Sequence, residues 1–157
     1  MKNSLNYKIF VINLDRSPDR LDFMQKQFDS LHLPFEREIA VEGKTYNFSN
    51  EYDEDLYKKY NKGTSATDPV KGCALSHRHA LERMLKEGLD YAVILEDDIE
   101  LRHDFKEILE EELARRIKGK STWEYLTFNY PGTGLKSIHL WLFLFFHASK
   151  TKAKKPL

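Results

Sequence analysis

Two periodicities alternate along the chain. Lys8 to Leu14 (KIFVINL) and Tyr91 to Leu95 (YAVIL) are almost continuous apolar runs, the pattern of strands buried on both faces. Between and after them, apolar residues recur at helical spacing. Leu21, Met24, Phe28 and Leu31 define a first helix, with Ser17 to cap it, Pro18 at its first position and Leu33-Pro34 to stop it. Ala80, Leu81, Met84 and Leu85 define a second helix over Lys71 to Gly88, with Gly88 just past its end. Phe105, Ile108, Leu109, Leu113 and Ile117 define a third, closed by Lys118-Gly119. Phe35 to Val41 reads as a strand with alternating charges, and Trp123 to Tyr130 as a further strand. Glu42 to Pro69 is polar and tyrosine-rich, a long loop with one short helix around Asp53 to Tyr60. Strands alternating with helices predict an α/β fold with a mainly parallel central sheet flanked by helices.

The second apolar run ends in acid, Glu96-Asp97-Asp98. Open α/β sheets bind ligands at the carboxyl ends of their strands. Three carboxylates there repel one another unless a cation or a cluster of donors neutralises them. Mg²⁺ or Mn²⁺ takes oxygen ligands and often holds a substrate phosphate as well. A solvated acidic loop after a core strand is the alternative.

Composition narrows the field. A chain of 157 residues reads as one domain with room for a core. With 25 basic and 25 acidic side chains the net charge is zero, which argues against a dedicated nucleic-acid binder. The single cysteine, Cys73, precludes an internal disulfide and fits a reducing compartment. The polar start, Met1 to Lys8, has no signal-peptide pattern, so a cytoplasmic location is expected. The longest apolar run, Leu140 to Phe146, has seven residues, where a membrane span needs about 20. A lysine-rich tail follows it. A core strand with a frayed tail is one reading. Peripheral contact of residues 140–155 with the inner face of an inner membrane is the other, since aromatic groups beside lysines bind anionic lipid surfaces.

Three constellations carry candidate chemistry. Asn13, Asp15, Arg16 and Arg20 gather where the first strand meets the first helix; amide, carboxylate and guanidinium groups there can bond a ribose and pair with a diphosphate. Each could equally be a helix cap or a surface ion pair. Gly72-Cys73-Ala74-Leu75-Ser76-His77 opens the second helix; Gly72 permits close backbone approach, and the helix start favours anions. Ser76 and His77 can contact substrate, while a satisfied, half-buried histidine is the plainer alternative. His77 and His79 are two apart and cannot share a helix face, which speaks against a zinc pair of the H-E-x-x-H kind. Cys73 reads as a small buried helix residue rather than a nucleophile. In the acidic triplet, alternation along an extended segment lets Glu96 and Asp98 face one pocket.

Taken in order, Val11 to Arg20 (VINLDRSPDR), Gly72 to His77 (GCALSH) and Val93 to Asp98 (VILEDD) resemble glycosyltransferase family 25, the family of bacterial lipooligosaccharide galactosyltransferases with collagen galactosyltransferase domains as relatives. The resemblance runs over about residues 8–130. It implies a GT-A-like nucleotide-sugar-binding fold, a UDP-sugar donor, usually UDP-galactose, a divalent metal (Mn²⁺ or Mg²⁺) and inversion at the anomeric carbon. By the same resemblance Asn13, Asp15 and Arg16 lie near the nucleotide and Ser76 and His77 line the donor pocket, while Arg20 is a substrate-binding candidate from its place at the helix start. Glu96 and Asp98 are the metal-holding acids, with Glu in place of the first Asp of a D-x-D pair, and Asp97 and Asp98 are the candidate catalytic carboxylates. The acceptor is expected to be a glycolipid or oligosaccharide of lipopolysaccharide biosynthesis. The domain so implied covers 1–130. Family members usually continue with an acceptor-binding half that Pro131 to Leu157, an apolar and basic segment, does not resemble. A nucleotide-sugar-binding remnant without transferase activity is therefore the alternative, and a metal-dependent phosphoesterase the next.

Overall fold

The structure is a computed structural model and describes residues 6–49, 51–118 and 143–144. In chain order it runs β1 (Tyr7–Asn13), α1 (Pro18–Ser30), β2 (Glu36–Ile39), α2 (Glu54–Tyr60), α3 (Asp68–Lys86), β3 (Tyr91–Glu96), α4 (Phe105–Lys118) and β4 (Phe143–Leu144). One sheet holds the four strands in the order β2-β1-β3-β4. β1 is parallel to both β2 and β3, and the short β4 is antiparallel to β3. This is the α/β architecture with a mainly parallel sheet, consistent with a GT-A-like fold. The strand expected at Trp123 to Tyr130 and the membrane contact expected through 140–155 lie outside the described residues, apart from the two of β4.

The continuous apolar runs follow from burial on two sides. Ile9, Val11, Tyr91, Val93 and Leu95 face Met24 and Phe28 of α1 and Phe105, Leu109 and Leu113 of α4. The alternate residues Phe10, Ile12, Ala92 and Ile94 face Ala80 and Met84 of α3. Successive side chains on a strand point to opposite faces, so each run must be apolar throughout to fill both layers. Phe10, Phe28, Met24 and Met84 are almost completely buried, each such side chain contributing about 1.5–3 kcal/mol.

β2 is an edge strand of mixed sequence, Glu36 to Ile39, shorter than the Phe35 to Val41 stretch expected. Its charges are used. Arg83 of α3 pairs with Glu36 and Glu38, its guanidinium sits 4.6 Å from the centre of the Phe10 ring, and it also bonds Glu87. A charged edge discourages pairing with another chain.

Two helix starts differ from expectation. Ser17 occupies the cap position of α1, yet its side chain makes no capping bond. Instead its carbonyl accepts from Asn13 Nδ2 at 2.9 Å. α3 begins at Asp68, after Thr67 as cap, and not at Lys71. Gly72 therefore lies inside the helix rather than at its anion-favouring start, which corrects that part of the sequence reading. Its role is close approach. A Cβ at Gly72 would stand 2.7 Å from Val41 O, and one at Gly43 would stand 2.1 Å from Asp68 O. The loop after β2 is thus pressed backbone to backbone against α3.

The strand order turns back at β1, with β2 on one side and β3 on the other. Crevices at such reversals, beyond the carboxyl ends of the strands, are where α/β sheets take ligands.

Candidate functional site

A cavity of about 210 Å³ occupies that position. The end of β1 and start of α1 supply Ile12, Leu14, Arg16 and Arg20. The loop after β2 supplies Ala40 to Lys44. α3 presents Pro69, Cys73, Ser76 and His77, and the end of β3 closes the ring with Glu96, Asp97 and Asp98. The three sequence constellations, far apart in the chain, meet here.

The acids have different surroundings. Asp97 is buried, 8% exposed. Its Oδ2 accepts from Asn13 Nδ2 at 2.6 Å and its Oδ1 from Arg20 at 3.1 Å. A cluster of donors thus meets this charge from within the protein, one of the two solutions expected for the triplet. Hydrogen bonding to Asp97 holds the Arg20 guanidinium charged, its pKa raised from the ordinary value. Asp98 is more than half exposed and lies 3.7 Å from Arg20. Glu96 turns toward α3, where its Oε1 is 3.4 Å from His77 Nε2 and 3.7 Å from Cys73 Sγ.

Asn13 stands beneath the cavity, 1% exposed, and bridges the two strand ends by donating to both Asp97 and the Ser17 carbonyl. Asp15 does not line the cavity; it pairs with Arg37 of β2 at 2.6 Å. Arg16 does line it, paired with Glu42 at 2.5 Å. That bond holds the Glu42 carboxyl below its ordinary pKa. Ser76 is buried and stitches the wall together: its hydroxyl accepts from Val41 N–H at 2.8 Å and donates to the Gly72 carbonyl at 2.7 Å. His77 and His79 diverge as expected, His79 toward Glu51 at 3.5 Å.

Cys73 departs from its reading as a buried residue. It is exposed as a whole, while its thiol lies against Glu96. Partial burial of the thiol, together with that negative charge, pushes its pKa up to about 11.

Lys44, Glu42 and Gly43 also line the cavity, and the sequence pattern does not mark them. They belong to a polar loop with weak periodicity, and only the facing pair of glycines, Gly43 and Gly72, signals that this loop must press on a helix. Lys71 of α3 does not line the cavity. It pairs with Glu54 at 3.1 Å and sits over the rings of Phe48 and Tyr52.

An acid-ended strand facing basic side chains at the reversal of a parallel sheet is the arrangement of an α/β ligand-binding domain. Residues 6–156 match the profile of glycosyltransferase family 25, described as LPS biosynthesis protein, and the chain belongs to that family. A glycosyltransferase 25 family member of Aedes aegypti is 34% identical over 131 residues, covering 76% of this chain and 20% of that protein. Procollagen galactosyltransferase 1-B of Xenopus laevis is 29% identical over 124 residues, 76% of this chain and 20% of that protein. The inactive glycosyltransferase 25 family member 3 of Mus musculus is also 29% identical over 124 residues, 76% of this chain and 21% of that protein. The chain spans about a fifth of the length of these curated relatives. Among the described residues no helix is long and apolar enough to cross a membrane.

Proposed function

We propose that the chain is the donor-binding part of a transferase that moves galactose from UDP-galactose to a saccharide hydroxyl of a lipooligosaccharide or lipopolysaccharide acceptor, with inversion. The observation that carries this reading is the crevice itself, with Glu96 and Asp98 on one side and Arg16, Arg20 and Lys44 on the others. Membership of family 25 supports sugar transfer. The galactosyltransferases among the relatives support the sugar, and the family description supports the acceptor.

The donor set fits a hard divalent ion. Mg²⁺ and Mn²⁺ are commonly bound by one or two carboxylates, with substrate phosphates completing the shell. Glu96 and the exposed Asp98 offer those carboxylates. When bound, the ion supplies neutralisation of the charge that grows on the departing diphosphate. Arg16, Lys44 and Arg20 add positive charge around the same cavity. The acceptor hydroxyl gives its proton to a carboxylate as the anomeric carbon inverts. Of the two candidate catalytic acids, Asp98 is open to substrate. Both oxygens of Asp97 already accept hydrogen bonds, which makes Asp97 a positioning residue for Arg20.

Calorimetric titration of UDP in the presence of Mn²⁺ tests the reading. Binding is expected for the native chain and is expected to vanish in Asp98→Ala; unchanged binding in that variant sinks the assignment. A second reading, donor binding without transfer, is favoured by the relatives described as inactive. It gives the same titration but no galactose on an added acceptor. A metal-dependent phosphoesterase would need a further acid at another strand end, and the one candidate, Asp15, is held by Arg37 outside the cavity.

A further inference from the structure

Three metal-ligating groups of mixed character meet on one wall of the crevice. Cys73 and His77 stand four residues apart on α3 and share a face. Glu96 meets them from the end of β3. One ligand atom from each lies within 4.8 Å of the others, the sole such group among the described residues. Tetrahedral zinc has bonds of about 2.3 Å to sulfur and about 2.0–2.2 Å to nitrogen and oxygen, which sets its ligands about 3.3–3.7 Å apart. Glu96 Oε1 is already 3.4 Å from His77 Nε2 and 3.7 Å from Cys73 Sγ. A thiolate and an imidazole select zinc-class ions, whereas Mg²⁺ and Mn²⁺ prefer oxygen alone.

We propose that Cys73, His77 and Glu96 form a three-ligand site for a Zn²⁺-class ion, with a fourth position open to the crevice. Cys73 binds as thiolate, releasing its proton to solvent, and His77 binds as neutral imidazole. Asp98 lies outside this ligand group. Glu96 is common to this site and to the donor cation, so the two ions compete for it; that consequence alone rests on the transferase reading.

Cobalt(II) is the probe, because a thiolate-bound tetrahedral cobalt ion absorbs through sulfur-to-metal charge transfer and intense ligand-field bands. One equivalent of Co²⁺ is expected to raise both, and Zn²⁺ to abolish them. Cys73→Ser is expected to remove the charge-transfer band. His77→Ala and Glu96→Gln are each expected to weaken Co²⁺ binding by about tenfold or more, since loss even of an outer-shell partner costs about 10–100-fold. Asp98→Asn separates this site from the donor reading: the cobalt bands persist there, whether or not UDP and Mn²⁺ binding is lost. A weak octahedral spectrum without charge transfer overturns the site, as do bands that neither His77→Ala nor Glu96→Gln alters.

Discussion

Asp97 and Asp98 are neighbours in sequence and opposites in environment. Asp97 belongs to a locked corner, where a buried amide and a guanidinium tie the end of β3 to the end of β1 and the start of α1. Asp98, with Glu96, His77 and Cys73, belongs to an open wall whose polar groups face the cavity. The corner's carboxylate is enclosed by its protein partners; the wall's groups border the cavity. A run of like charges at a strand end can thus be divided, one carboxylate holding the architecture and its neighbours turned to a cavity.

The contrast can be broken in graded steps. A large loss of stability is expected from Gly72→Ala, because the added methyl would meet the Val41 carbonyl and backbone cannot swing aside. About 3 kcal/mol is expected, at the upper end for overpacking, read by urea denaturation. Equal stability would mean that the loop after β2 is not pressed on α3.

Asn13→Ala is next. It leaves the buried Asp97 carboxylate short of a donor, a cost of about 2 kcal/mol. The exposed Asp98→Ala should stay within about 0.5 kcal/mol of the native chain. Denaturant midpoints for the pair check the division directly, and similar values for both would erase it.

The last effect is one of pH. The Cys73 thiol, raised to about 11 in the folded chain, has an unfolded value of about 8.5. The folded state therefore favours the protonated form. That contribution is fully present below about 8.5 and is lost as pH rises toward 11. In metal-free protein, alkylation by iodoacetamide at pH 8.5 should be slower than for free cysteine. It should speed up in Glu96→Gln, where the neighbouring negative charge is gone; an unchanged rate would show that Glu96 does not act on the thiol.

Much of this was legible in the chain. The uninterrupted runs of β1 and β3 announce strands covered on both faces, because each alternate side chain must meet a helix layer. Helical spacing locates α1, α3 and α4 to within a few residues. Periodicity misses the first turn of α3 because Asp68, Pro69 and Val70 carry no apolar period; Thr67 as cap and Pro69 in the first turn are the signals that mark it. The acid at the end of β3, the basic residues after β1 and the Ser76-His77 pair were visible as candidates. Their division of labour was not.

Local sequence settles backbone preference and the apolar pattern, and with them the α/β class and the strand end at which the acids collect. Partner choice is a matter of distance, and distance between residues 84 apart, such as Asn13 and Asp97, exists only once β1 and β3 pair. The tertiary structure alone decided that Asp97 is enclosed and Asp98 open, that Asp15 answers to Arg37, and that Glu96 turns toward Cys73 and His77.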